Sequence, residues 1–330
     1  MKCAIIGAGA WGTALANVLA ENGHDATVWA LEPDVAEAIN TAHENPRFLP
    51  GIVLHGGVRG TTEKPMALEG AELVVLASPS HVLRTVVEDC HDWTLPGARL
   101  VVATKGIERV TLSLMTDVAN AALPGRPVVA LSGPSFAVEV AARQPTAIVA
   151  ASRDVADATF VQAAFSSPSF RLYTHDDVTG VELGGALKNV MAVATGISDG
   201  LALGFNARAA LITRGMAEMM RLGAKLGARP ATFAGLAGVG DLVLTCTGAL
   251  SRNRAVGLEI GRGRTLPDIL AGRETVAEGV MTTESANALA EREGVDMPIV
   301  AAVHRILFER QPARWALVEL MTRGLRGEED

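Results

Sequence analysis

Short apolar runs separated by amphipathic stretches fill the first half of the chain. The runs are Cys3–Ile6, Ala26–Ala30, Leu73–Leu76, Leu100–Ala103, Val128–Leu131, Ala147–Val149 and Phe170–Tyr173. Between them Val82–Cys90, Leu112–Ala122 and Val155–Phe165 repeat their apolar positions at helical spacing. Strands alternating with helices predict an α/β unit with a mostly parallel, helix-covered sheet. After His175-Asp176-Asp177 the pattern changes. Ala207–Leu226, Leu266–Leu270, Thr282–Glu293 and Ile299–Phe308 carry helical periodicity, and β-rich runs are nearly absent. The expected division is an α/β domain over 1–177 and an all-α domain over 178–330, with Arg323–Asp330 a solvated tail.

Composition narrows the function classes. With 49% apolar and 20% charged residues, the 330-residue chain is globular and long enough for two cores. A net charge of −7 argues against nucleic acid or an anionic membrane as partner. An anionic substrate would then have to be drawn in by a local group of Lys and Arg. Cys3, Cys90 and Cys246 are far apart with no C-x-x-C pair, as expected of free thiols in a reducing cytoplasm. The seven histidines show no metal-ligand spacing, so no metal is expected. The N-terminus is apolar to Ala20, but Gly7, Gly9, Trp11 and Gly12 interrupt it, so it reads as strand, turn and helix rather than a secretion signal. No stretch approaches the roughly 20 apolar residues that span a bilayer.

Gly7-Ala8-Gly9-Ala10-Trp11-Gly12 lies between the first strand and the first helix. In a dinucleotide site the first glycine permits a tight turn, the second admits a pyrophosphate, and the third lets helix pack on strand. The phosphates then meet the helix N-terminus. The second strand ends at Trp29-Ala30-Leu31-Glu32. Glu32 there would bond an NAD ribose, or sit in the first turn of the next helix; Arg47 is the nearest cation for the extra phosphate of NADP.

A second constellation is Glu182-Leu-Gly-Gly-Ala-Leu-Lys-Asn189, read as a helix in which Gly184 and Gly185 lie one turn before Lys188 on its face. Each interior glycine costs roughly 0.8–1 kcal/mol relative to alanine. The pair implies close approach of another body. That body is either a ligand lying under Lys188 or a tightly packed helix with Lys188 snorkelling to solvent. Thr104-Lys105-Gly106 and Ser132-Gly133-Pro134-Ser135-Phe136-Ala137 each follow a strand, the end at which open α/β sheets bind ligands. Gly238-Val-Gly-Asp241 offers an acid after a turn, and Ser251-Arg252-Asn253-Arg254 a compact set of anion donors. Bland roles fit each one singly: a loop lysine, a helix cap, a surface charge.

Taken in order with Asn206-Ala-Arg-Ala and Gly-Val-Gly-Asp-Leu-Val-Leu-Thr-Cys246, these segments closely resemble bacterial NAD(P)-dependent glycerol-3-phosphate dehydrogenase, from Cys3 to about Pro298. The resemblance implies a Rossmann domain followed by an all-helical domain, and NAD(H) or NADP(H) as cofactor. The implied reaction is reduction of dihydroxyacetone phosphate to sn-glycerol 3-phosphate, the glycerophospholipid backbone. It further implies a cytoplasmic homodimer. By the same similarity Lys188 is the catalytic acid/base, and Lys105 touches substrate and cofactor. Gly133, Ser135, Asp241, Ser251, Arg252 and Asn253 contact substrate, with Lys188. Gly7, Gly9, Trp11, Gly12, Ala137, Arg252, Val276 and Glu278 line the cofactor. Many members carry Arg or His at the position of Leu31, where that side chain helps hold the 2′-phosphate of NADP.

On this reading Gly184 and Gly185 let the nicotinamide and a three-carbon phosphate lie against the helix, and Lys188 donates a proton to the developing alkoxide. A lysine pKa of about 10.4 is too high for that exchange near neutrality. Lys105 and Arg252 are expected to lower it by like charge, while Asp241 raises it and orients the ammonium. Arg252 and Asn253 would clamp the phosphate. A 3-hydroxy-acid or ketopantoate dehydrogenase would need a carboxylate clamp instead, and a turnover-less nicotinamide sensor would have no use for Lys188 and Asp241.

Overall fold

The computed structural model describes residues 1–271, 277–324 and 327. Ten strands are found among them: β1 (Lys2–Ile6), β2 (Asp25–Trp29), β3 (Glu44–Asn45), β4 (Leu49–Val53), β5 (Val58–Thr61), β6 (Leu73–Leu76), β7 (Arg99–Val102), β8 (Val128–Ser132), β9 (Thr146–Ala151) and β10 (Phe170–His175). Eight of them form one sheet in the order β10-β9-β8-β7-β6-β1-β2-β5, while β3 and β4 make a separate antiparallel hairpin. Every pair in the large sheet is parallel except β8 with β9. All seven apolar runs are strands of this sheet.

The runs are apolar because both faces of the sheet are covered, and successive side chains point to opposite faces. Cys3, Ile5, Val75, Val101 and Val129 pack on one face, against α1 (Ala10–Glu21). Ala4, Ile6, Val74, Leu76, Leu100 and Val102 pack on the other. Between strands lie α2 (Pro33–Thr41), α3 (Lys64–Leu68), α4 (Leu83–Glu88), α5 (Met115–Ala122), α6 (Ala137–Ala141) and α7 (Val155–Phe165). Of these, α7 shares the face of α1, while α4 and α5 cover the other.

The sequence reading overlooked β3, β4 and β5. Arg59 and Gly60 break any apolar run in β5, and Gly60 is there for packing: a Cβ on it would lie 2.6 Å from the carbonyl oxygen of Ala36 in α2. The hairpin is held by polar bonds as well as by Leu49, which is buried in the core with Phe48 and Ile52 packed against it. Asn45 donates to the Ala8 carbonyl and to Thr13 Oγ1, each at 2.8 Å.

From Val178 onward the elements are helical: α8 (Val178–Gly200), α9 (Gly204–Lys225), α10 (Pro230–Phe233), α11 (Asp241–Thr247), α12 (Arg252–Gly261), α13 (Leu266–Leu270), α14 (Glu278–Glu293), α15 (Pro298–Phe308) and α16 (Ala313–Met321). A single π-helical turn, Leu236–Gly240, precedes α11. Every residue of α8 from Gly180 to Ser198 is buried. Neighbours cover this helix on all sides, so Glu182, Lys188, Asn189, Thr195 and Ser198 are buried along with its apolar residues. Glycines allow backbones to touch: a Cβ on Gly196 of α8, or on Gly257 or Gly261 of α12, would overlap a carbonyl oxygen of the facing helix.

Asp177 fixes where α8 begins. Its carboxylate accepts from Gly180 N at 2.9 Å, from Arg229 N at 2.8 Å and from Thr232 Oγ1 at 2.5 Å. Burial opposes its ionisation, but these bonds hold its pKa below the ordinary aspartate value. Asp177→Ala is expected to lower stability by about 2–3 kcal/mol in urea denaturation, the loss of a cap plus charged hydrogen bonds. Because the folded pKa is depressed, this contribution is present above the unfolded pKa and disappears as pH falls through the folded one.

Candidate active site

Three side chains from distant parts of the chain meet in a nearly dry pocket. Lys188, in the middle of α8, is buried, at 7% exposure. Its ammonium lies 2.8 Å from Asp241 Oδ1 and donates to Thr245 Oγ1 at 2.9 Å. Lys105, just beyond β7, lies 2.7 Å from the other oxygen, Asp241 Oδ2, and also donates to the Gly133 carbonyl at 3.1 Å. Asp241, at 1% exposure, is thus shared by two ammonium groups, and the three side chains together carry one surplus positive charge. Thr245 donates its hydroxyl to the Asp241 carbonyl at 2.7 Å, one turn along α11, which points its lone pairs at Lys188.

Burial pushes the Lys188 pKa down to about 8, against the pull of the Asp241 carboxylate and with help from the Lys105 charge. The sequence reading ascribed this depression to like charge from Lys105 and Arg252. Desolvation is the leading cause, and it could not be read from spacing. Arg252 is exposed at the first position of α12, and its charge bears on Glu278.

The glycine pair has a purpose other than a bound ligand. A Cβ on Gly184 would overlap the Ala237 carbonyl oxygen of the π-helical turn, and one on Gly185 would lie 2.5 Å from Ser132 Oγ and 3.5 Å from Lys105 Cδ. The body approaching α8 is therefore the protein's own backbone and side chains. The packing alternative holds for the glycines, while its snorkelling Lys188 does not.

The remaining site residues surround this cluster. The Gly133 backbone has φ +136°, and its carbonyl accepts from Ser135 Oγ at 3.0 Å as well as from Lys105. Ser251 caps α12 through a bond from Arg254 N at 3.2 Å. The Asn253 amide donates to Asn189 Oδ1 at 2.8 Å and accepts from Gly279 N at 2.9 Å, so it ties α12 to α8 and α14. Arg254, grouped with the anion donors from sequence, is turned away, with its guanidinium 2.6 Å from Asp199 Oδ2. Glu278 opens α14, where burial raises its pKa and the charges of Arg252, Lys105 and Lys188 lower it. Val276 lies outside the described residues. Glu182, first in the octet, lines one small cavity with Thr104, Lys105 and Ser132, and accepts from the backbone N–H and the hydroxyl of Thr116 at 2.9 and 2.5 Å.

Sequence reasoning passed over Thr245, Asn189 and Ser132 as site residues, although all three lie inside quoted motifs. Ser132 Oγ is buried with no partner. Adjacency to Lys188, to Gly133 and to Asp241 through one helical turn was the available signal.

The glycine loop fits a dinucleotide. Gly9 occupies the N-cap position of α1 with no side-chain cap and no acid in the first turn, so the free N–H groups there suit an anion. A Cβ on Gly7, at φ +125°, would lie 2.9 Å from Ala77 C and Ser78 N, and one on Gly12 would overlap the Gly7 carbonyl. On Gly9 it would meet nothing within 4 Å. Two glycines are thus required by the fold, and the third faces open space. Trp11 packs its ring 6.5 Å from Phe170, with a buried, unpartnered Nε1. Ala137 begins α6 in a half-buried position. The loop is joined to Lys105 through its neighbours: Thr104 Oγ1 donates to the Ser78 carbonyl at 2.7 Å, and Ser78 adjoins Gly7. Among the described residues no group of three His, Cys, Asp or Glu side chains could hold a metal, and no helix is long and apolar enough to cross a membrane.

A glycine-loop sheet domain joined to a helical unit with a buried, acid-paired lysine defines the class: a Rossmann-type NAD(P)-dependent dehydrogenase. The profile of the NAD-dependent glycerol-3-phosphate dehydrogenase N-terminus matches residues 2–158, and that of its C-terminus matches 177–318. A glycerol-3-phosphate dehydrogenase [NAD(P)+] of Geobacter metallireducens is 55% identical, covering 99% of this chain and 98% of its own. The crystal structure of glycerol-3-phosphate dehydrogenase from Coxiella burnetii matches with TM-score 0.94 at 40% identity, covering 97% of this chain and 98% of its own. A ketopantoate reductase of Ralstonia eutropha, at TM-score 0.63 and 16% identity over 97% of this chain and 100% of that one, shares the fold alone. The chain belongs to the NAD-dependent glycerol-3-phosphate dehydrogenase family.

The two kinds of glycine separate by mutation. Gly184→Ala is expected to cost about 1–3 kcal/mol in thermal or urea unfolding, as overpacking does. Gly9→Ala is expected to leave stability within about 0.5 kcal/mol while weakening NADH binding measured by fluorescence.

Proposed function

We propose that this protein reduces dihydroxyacetone phosphate to sn-glycerol 3-phosphate with NADH or NADPH, reversibly, and so supplies the backbone of glycerophospholipids. The observation that carries the reading is the buried Lys188–Asp241–Lys105 cluster, two cations on one carboxylate beside the glycine loop's sheet edge. Residues 1–177 would form the dinucleotide domain and 178–330 the substrate domain.

When bound, the reduced nicotinamide supplies a hydride to the ketone carbon. Gly7, Gly9, Trp11, Gly12, Lys105, Ala137, Arg252, Val276 and Glu278 would hold it. Lys188 donates a hydrogen bond and then its proton to the ketone oxygen as negative charge develops there. Asp241 and Thr245 orient that ammonium, and the surplus positive charge of the cluster favours the oxyanion. Lys105 contacts substrate as well as cofactor, and Gly133 and Ser135 shape the floor beneath it. Arg252 binds the phosphate at the α12 N-terminus. Ser251 and Asn253 add the donor that each retains after its protein bonds: the serine O–H and one amide N–H. Binding energy from that remote phosphate orients the carbonyl. Three buried free cysteines suit a reducing cytoplasm, and a homodimer is the proposed assembly.

The direct test is loss of reduced-nicotinamide absorbance with dihydroxyacetone phosphate, run beside ketopantoate as the carboxylate alternative. Lys188→Met is expected to slow turnover by roughly 10²–10⁴-fold with NADH binding retained. Reduction needs the ammonium, so its kcat/KM should fall above a pH near 8, while oxidation of glycerol 3-phosphate rises over the same range. Arg252→Ala should raise KM for the phosphorylated ketone roughly 10–100-fold, the loss of a charged hydrogen bond.

A further inference from the structure

In sheets of this kind the residue at the end of the second strand reads the adenine ribose: an acid bonds the 2′-hydroxyl, and an arginine accepts a 2′-phosphate. Here that end carries Leu31, 74% exposed and without a polar group, followed by Glu32, whose side chain makes no cap bond to α2. A cation reaches the same corner from another element. The Asn45 amide is bonded to the glycine loop at Ala8 and to Thr13 of α1, and its Oδ1 accepts from Phe48 N at 3.1 Å. Those bonds pin the turn between β3 and β4 against the nucleotide loop. Arg47 sits on that turn. Its guanidinium lies 5.3 Å from the centre of the Phe48 ring and 4.0 Å from Asp34 Oδ1, in the first turn of α2 and three residues past Leu31.

We propose that Arg47 recognises the 2′-phosphate of NADP(H), supplying from the β3–β4 turn the cation that Leu31 lacks. With NAD(H) the guanidinium stays with Asp34; with NADP(H) it turns to the phosphate. An ion pair at 4.0 Å between side chains 34% and 71% exposed is weak, whereas a guanidinium can meet a phosphate with two parallel hydrogen bonds. The Phe48 ring, 5.3 Å from the guanidinium carbon, holds the cation at this corner in either state. Asp34 therefore competes with the phosphate for the guanidinium.

This inference rests on the reading of the glycine loop as a dinucleotide site, and the test keeps the two apart. Calorimetric titrations of 2′,5′-ADP and 5′-ADP are made on the wild type, Arg47→Ala and Asp34→Asn. The quantity read is the ratio of the two affinities. Arg47→Ala is expected to shift that ratio about tenfold against 2′,5′-ADP, the loss of one charged hydrogen bond. Asp34→Asn should shift it the opposite way by removing the competitor. An unchanged ratio in Arg47→Ala, or a shift against 2′,5′-ADP in Asp34→Asn, would overturn the assignment. Failure of the wild type to bind 5′-ADP would instead overturn the cofactor site itself.

Discussion

A single buried carboxylate serving two buried ammonium groups is the constraint on which the rest of this molecule depends. Removing a charge from water is costly unless it is paired and hydrogen-bonded, and Lys188 lies in a helix covered on every side, with only a small part of it exposed. Asp241 must therefore stand within bonding distance of α8. It does so because the π-helical turn before it rests its Ala237 carbonyl on the bare backbone of Gly184. A methyl group there would push the turn, and Asp241 with it, away from the lysine. The stability of the helical half and the chemistry of the site thus depend on the same contact.

The cluster also joins the two halves of the chain. Lys105 comes from the sheet and Lys188 from the central helix, and Asp241 bonds both from opposite oxygens. Two cations and one anion leave a surplus positive charge in a molecule whose net charge is −7. An anionic substrate is repelled by the global field and attracted locally by this cluster, which favours specificity over indiscriminate anion capture. Burial sets the protonation chemistry as well. It lowers the Lys188 pKa to about 8, close enough to neutrality for the proton to move in both directions.

Much of this was legible from residue order. A sheet buried on both faces demands continuous apolar runs, and each of the seven runs is a strand. Strands without that signature, β3 to β5, were invisible because polar anchors such as Asn45 and close approaches such as Gly60 hold them. Gly7 and Gly12 were correctly read as turn and packing glycines. The family resemblance makes Gly184 and Gly185 a bed for nicotinamide and substrate, whereas they admit Ala237 and Ser132, since a missing side chain announces a close neighbour without identifying it. Arg254 belonged to a plausible anion cluster by adjacency, yet its guanidinium is bound to Asp199.

Local order along the chain was thus enough for the sheet, the glycine loop, the helical second half and the residue types of the site. These depend on periodicity and turn chemistry, which act over a few residues. Folding decided which side chains share a pocket, how dry that pocket is, and which hydrogen-bonding groups are already occupied. Lys105 and Asp241 are 136 positions apart, and no spacing rule acts over that distance. Their 2.7 Å contact, and the depressed pKa of the lysine beside them, exist only once the sheet edge and the helices have closed around one carboxylate.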